Sequence, residues 1–223
     1  MKKTVIKLIK NHFPKNLREI GEKLVGRRVY HPLFDNYRCI FIHIPKTAGS
    51  SIGHAIFGTH QTGHWKLITY RWTNSNKFDR YFKFTFVRNP WDRLASAYFY
   101  LAEGGKTKND REWSKKNISH FKSFEDFVTR GLSNDNILNW VHFVPQLNFI
   151  RDIDGHINVD FVGKYENLKE DFEYVCNKLN INTELPHKNH SNRLDYRKIY
   201  SSSMIQKVQE VYSDDIEFFN YNF

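Results

Sequence analysis

Cysteine is nearly absent from this 223-residue chain, with Cys39 and Cys176 as the whole complement. Two thiols so far apart build neither a disulfide framework nor a thiolate metal cluster, and as buried free thiols they suit a reducing compartment. Long hydrophobic runs are missing as well. None approaches the roughly 18 apolar residues of a membrane span. The opening Met1–Lys10 stretch imitates the charged end of a signal peptide, but Lys7 and Lys10 break its apolar part. The expectation is a soluble, cytoplasmic protein. Acidic residues are also scarce: 24 Asp and Glu stand against 34 Lys and Arg, giving a formal net charge of +10. An excess of this size points to an anionic partner, whether nucleic acid, phosphorylated cofactor, acidic polysaccharide or anionic membrane surface.

Aromatic residues are plentiful. They make up 16% of a chain whose hydrophobic fraction is 40%, enough to pack one well-filled domain. Residues 3–28 alternate Ile, Leu and Phe with Lys and Arg as a basic amphipathic helix does, so residues 1–37 read as a basic helical extension and 38–223 as the domain. The extension either packs on the domain or rests on a membrane surface. Within the domain, Arg38–Ile44, Tyr81–Val87 and Val159–Lys164 read as strands. Helical patterns follow at Ile52–Phe57, Trp91–Leu101 and Leu168–Leu179, with helical pieces over Asp195–Phe219. Strands alternating with helices predict an α/β fold, a central parallel sheet flanked by helices, with ligands beyond the carboxyl ends of the strands.

Two turns lie at that edge. Pro45-Lys46-Thr47-Ala48-Gly49-Ser50-Ser51 joins a strand to a helix start, where unpaired N–H groups and the positive dipole end attract anions. Gly49 would let the backbone come close, Ser50 and Ser51 add hydroxyls, and Lys46 adds a charge. In the second turn Arg88 leaves a strand, Asn89 is placed to cap a helix, and Pro90 suits its first position. Arg93 and Ser96, three apart, share a helical face.

In this order the segments His43–Ser51 and Phe86–Tyr98 resemble the sulfotransferases that use 3′-phosphoadenylyl sulfate (PAPS), in particular the membrane-type carbohydrate branch and its bacterial relatives. The resemblance implies a P-loop-NTPase-like fold. It assigns Lys46, Thr47, Ala48, Gly49, Ser50 and Ser51 to the 5′-phosphosulfate, and Arg88 and Ser96 to the 3′-phosphate. Lys188 and Arg193, in the loop His187–Arg193, would close over the cofactor or belong to a solvated basic loop. Pro145-Gln146 and Asp160–Leu168 are further, softer points of likeness, with Glu166 tying strand to helix.

The catalytic base implied by the resemblance is His64, in Gly63-His64, with His60 and loop carboxylates as alternatives; Lys46 would stabilise charge on the departing phosphate. No ligand-spaced cluster of His, Cys and carboxylates suggests a metal. The acceptor is expected to be a glycan or polysaccharide hydroxyl, not nucleic acid. Residues 103–122 read as an exposed excursion. There Lys106, Lys108, Arg111, Lys115, Lys116 and Lys122 surround Trp113 and either meet an acidic acceptor or are ordinary solvated charge. Two other classes stay open: a P-loop-type nucleotide or small-molecule kinase, disfavoured because no GxxxxGK[ST] occurs, and a non-catalytic binder of acidic glycan.

Overall fold

A computed structural model describes residues 29–186 and 195–223. Three parallel strands form its sheet: β1 (Cys39–Ile42), β2 (Phe82–Val87) and β3 (Phe161–Lys164), in the order β1-β2-β3. Cys39 pairs with Phe82 and Phe84 with Phe161, so β2 is hydrogen-bonded on both sides. The sheet edge carrying the strands' carboxyl ends therefore gathers the turns after β1 and β2. All four residues of β1 are buried, as expected of a strand covered on both faces. The two polar residues of β2 are both satisfied. Thr85 Oγ1 donates to the Ile42 carbonyl, and the Lys83 ammonium reaches the Phe78 and Tyr81 carbonyls and, at 3.0 Å, Asp160.

Helices cover the sheet. α1 (Pro32–Tyr37) precedes β1; α2 (Gly49–Phe57), α3 (Leu67–Thr73) and α4 (Ser75–Arg80) connect β1 to β2. After β2 come α5 (Pro90–Ala102), α6 (Lys108–Asn117), α7 (Phe124–Asp126, running on as a π turn Phe127–Gly131), α8 (Asp135–Leu138) and α9 (Leu147–Ile150). β3 leads through a 3₁₀ turn into α10 (Leu168–Leu179), and α11 (Ser202–Val211) and α12 (Ser213–Phe218) follow. Two hydrophobic clusters result. One sandwiches the sheet around Phe41, Phe84 and Phe86, and the other packs α5, α7 and α11 around Tyr98, Phe127, Phe143 and Val208. Val29, Tyr30 and Phe34, within the segment assigned to the N-terminal extension, are buried in the first cluster. No described helix is long and apolar enough to cross a membrane.

The excursion at 103–122 is a helix over half its length. Thr107 and Asp110 make a reciprocal capping box at the start of α6, a Thr-x-x-Asp signal that the lysine-rich composition obscures. Trp113 does not stand among the lysines as an open platform: its ring stacks on Trp140 at 4.6 Å between centroids. Lys106, Lys108, Arg111, Lys115, Lys116 and Lys122 remain exposed.

Gly163 sits opposite Phe86 in the β2–β3 ladder, and a Cβ there would come within 2.5 Å of the Phe86 ring. Gly163→Ala must displace a fully buried aromatic ring from the sheet core. The expected cost is about 1–3 kcal/mol of stability, read as a lower urea midpoint at unchanged slope. An unchanged midpoint would mean that the ring has room to move.

Candidate functional site

The turn after β1 has an unusual backbone. Lys46 (φ 73°) and Ala48 (φ 64°) are both left-handed although neither is glycine, a conformation that L-residues hold only when their surroundings impose it. Two arginines from α5 and its approach supply that constraint. Arg93, 2% exposed, donates through Nε to the Pro45 carbonyl at 3.1 Å and through a terminal nitrogen to the His142 carbonyl at 3.3 Å. Arg88 donates to the Lys46 carbonyl at 3.2 Å. In a trans peptide the N–H points away from the C=O, so pinning these two carbonyls turns the following N–H groups to the other side of the loop. Among the described residues no protein acceptor takes the N–H of Thr47, Ala48, Gly49 or Ser50. Together with the start of α2 they make a run of backbone donors of the kind that receives phosphate oxygens.

The individual side chains of this turn are used unequally. Thr47 is fully buried and its hydroxyl donates to the Ile44 carbonyl, so it faces a ligand with its backbone alone. Ser50 is exposed and Ser51 half-buried at the first turn of α2. Gly49 is required for a reason absent from the sequence reading: a Cβ there would lie 1.9 Å from the His43 ring, so the close neighbour is protein rather than ligand. The Lys46 ammonium sits 4.1 Å from the centre of the Tyr100 ring.

Arg88 is buried against the second turn. Its Nε donates to Asp92 at 2.7 Å, its plane stacks on Tyr165 at 3.9 Å, and the Lys46 carbonyl takes a third contact, leaving further N–H donors of the five-donor fork. The main chain at Arg88 is held by Gln146, which accepts from its N–H and donates to its carbonyl, both at 2.9 Å. Gln146 is in turn fixed by Asp215 of α12, whose carboxylate accepts the N–H of Gln146 and Leu147. Asn89 caps α5 through Trp91 N–H as its sequence predicts. Its own N–H donates to Glu166 at 2.7 Å and its amide to the Asn222 carbonyl at 2.7 Å, while Tyr221 donates to the other Glu166 oxygen. Glu166 is thus structural. Ser96 is buried on the α5 face that also carries Arg93 and Tyr100.

His64 lies beside the first turn, on a Gly63 whose φ is 69°. Its Nδ1 is 2.9 Å from the His43 carbonyl, and its ring stands edge-on to His43 at 4.3 Å. A carbonyl can only accept, so Nδ1 carries the hydrogen, and in the neutral ring Nε2 keeps its lone pair. His64 is exposed at its outer edge, and the partial burial of the rest of its ring lowers its pKa from the ordinary 6.5, against the His43 carbonyl, which favours the charged form. His43 is held neutral more strongly, by burial and by its histidine neighbours. His60 instead bonds the Ser50 carbonyl and stacks on exposed His54.

Two residues of this neighbourhood escaped the sequence reading. His142 is buried, its ring 6.3 Å from His64 and 5.1 Å from Tyr100. Its Nε2 is 3.2 Å from Asp110 Oδ1. Asp110 also accepts from the Tyr100 and Thr107 hydroxyls, and these partners outweigh burial and hold it ionised far below the usual carboxylate range. The capping box could have exposed Asp110; nothing local marks His142. Lys188 and Arg193 lie outside the described residues. Among the described residues no group of three or more His, Cys, Asp or Glu could hold a metal ion. A depression of about 350 Å³ lined by Asp35, Arg38, Lys77, Arg80 and Tyr81 lies at the opposite edge of the sheet, where Asp35 is already engaged by Lys77 and Tyr81.

Removing Arg93 tests whether the first turn depends on it. Arg93→Met keeps the apolar stem but strands the Pro45 and His142 carbonyls, each bonded to a charged donor in the native protein. A loss of about 2–4 kcal/mol, seen in denaturant melts, is the expected outcome; wild-type stability would mean that the turn holds its shape unaided.

No solved structure matches this chain. A protein of Archaeoglobus fulgidus, described as uncharacterized, is 35% identical over 112 residues, covering 48% of this chain and 75% of the relative. The sulfotransferase family profile matches residues 33–222, from α1 through both turns to the C-terminal anchor. With strand–turn–helix sites at two adjacent carboxyl ends of a parallel sheet, and a profile match along nearly its whole length, the chain belongs to the sulfotransferase family.

Proposed function

We propose that the protein transfers a sulfuryl group from PAPS to a glycan hydroxyl, with His64 as the base. The observation that carries this reading is the tautomer of His64: the His43 carbonyl fixes the hydrogen on Nδ1 and leaves Nε2 as a proton acceptor beside the first turn. PAPS suits the two turns because it carries an anion at each end of its ribose. The N–H groups of Thr47, Ala48, Gly49 and Ser50, with Lys46 and the Ser50 and Ser51 hydroxyls, would hold its 5′ side. The remaining donors of Arg88, and Ser96, would hold its 3′-phosphate. When bound, the donor supplies a sulfuryl group already activated by its bond to phosphate.

The residues of this chain then have separate tasks. His64 Nε2 takes the proton of the acceptor hydroxyl as that oxygen attacks sulfur. Lys46 and the start of α2 stabilise negative charge growing on the departing phosphate, in positions set before the reaction begins. The exposed lysines of α6 and its flanks favour an acidic glycan. Reading the site for PAPS rather than ATP rests on the second turn, which provides for a 3′-phosphate that ATP lacks.

The desulfated product PAP (adenosine 3′,5′-bisphosphate) should raise the melting temperature well above any effect of ATP. A hundredfold excess over the dissociation constant corresponds to about 2.7 kcal/mol. Arg88→Ala should weaken PAP binding, and equal shifts by PAP and ATP would remove the case for a 3′-phosphate site.

His64→Ala should reduce turnover about 10² to 10⁴-fold while PAP affinity is retained. Because the base is active when neutral and its pKa lies below 6.5, kcat/KM should rise with pH on the acid side and level off before neutrality. An acid limb centred above 6.5, or one that survives in His64→Ala, would assign the base elsewhere.

A further inference from the structure

His142 is 8% exposed and its Nδ1 is buried without a hydrogen-bond partner among the described residues. Its other nitrogen is committed. Asp110 is ionised, so Nε2 carries the hydrogen that meets it, and the neutral ring turns a bare lone pair inward at Nδ1. An orphan of this kind is costly to bury, and a carboxylate held by the Tyr100 and Thr107 hydroxyls and the Thr107 N–H is an elaborate support for a ring that only fills space.

The surroundings are those of the anion site itself. The His142 carbonyl and the Pro45 carbonyl are bonded by the same Arg93 side chain. Tyr100 touches both sides, with the Lys46 ammonium over its ring at 4.1 Å and the His142 ring at 5.1 Å. The groups facing His142 are therefore Lys46 from the first turn, His43 just after β1, Arg93 and Tyr100 from α5, Asp110 from α6, and His64 from the α2–α3 connection. Without a ligand, the cations among them and the burial oppose a charge on the ring, while Asp110 favours one. A polyanion seated on the first turn reverses the balance, since it offsets Lys46 and Arg93 and leaves Asp110 as counter-ion.

We propose that His142 takes up a proton from solvent at Nδ1 when an anionic donor binds, becoming an additional cation of the donor site paired with Asp110. This rests on the PAPS reading of the first turn and adds to it a charge that exists only in the complex. No bond of the donor changes in this step; one proton moves from buffer to the ring. In the working enzyme that cation would stand behind Lys46 and supplement its stabilisation of the departing phosphate, with Asp110 as its positioning residue.

Calorimetric titration with PAP, in two buffers of different ionisation enthalpy and without phosphate, counts the protons taken up. Near neutral pH the wild type should bind with an uptake that exceeds that of both His142→Gln and Asp110→Asn by a measurable fraction of a proton. PAP's own phosphate ionisation is common to all three and cancels in the difference. His64→Gln should retain the excess. PAP affinity of the wild type should then strengthen relative to His142→Gln as pH falls, by up to about tenfold per pH unit for one linked proton. If His142→Gln takes up as many protons as the wild type, or if His64→Gln is the variant that loses them, the assignment to His142 is wrong while the donor site stands. If the wild type does not bind PAP at all, the donor reading itself fails. Asp110→Asn, which keeps the shape of the capping residue, decides the matter should His142→Gln not fold.

Discussion

The site depends on a guanidinium holding main-chain carbonyls. Arg93 is almost completely buried, and it reaches across from α5 to the turn after β1 and to the segment before α9. A buried arginine is expensive unless its donors are satisfied, and here carbonyl oxygens satisfy them in place of a carboxylate. The charge meets the Asp215 carboxyl only through space, without a hydrogen bond. It stays as a positive field beneath the turn, while the same bonds impose the left-handed backbone at Lys46 and Ala48. One side chain thus shapes the turn and contributes to the potential around it.

Arg88 repeats the arrangement one strand over, with a difference in chemistry. Its charge is partly balanced by Asp92, and Tyr165 covers its face. These contacts hold the guanidinium rigidly, so it keeps little rotamer freedom. Behind it, Gln146 completes the hydrogen bonding of the β2 main chain where the ladder ends, and Asp215 fixes Gln146. The order of dependence runs from a buried carboxylate in α12, through an amide, to the backbone that aims Arg88.

Much of this was legible in the sequence because it is local. The three strands, the helix Leu168–Leu179 and the Asn89-Pro90 helix start follow from apolar runs and capping chemistry within a few residues. The two turns stand out for the same reason. What could not be read joins distant segments: Asp110 to His142, Gln146 to Arg88, Asn222 to Asn89. Gly49 illustrates the limit. The sequence says that a close approach is needed there, and only the fold identifies the neighbour as the His43 ring. Trp113 fails the opposite way, since an aromatic among lysines looks exposed until Trp140, from another segment, is found stacked on it.

The anchoring of Asn89 by Asn222 and of Glu166 by Tyr221 has a consequence for how the molecule is made. Asn89 of the second turn is held by the Glu166 side chain 77 residues on and by the Asn222 carbonyl 133 residues on. Such contacts close long loops, which slows their formation. The second turn is therefore complete only when a contact across most of the domain has formed.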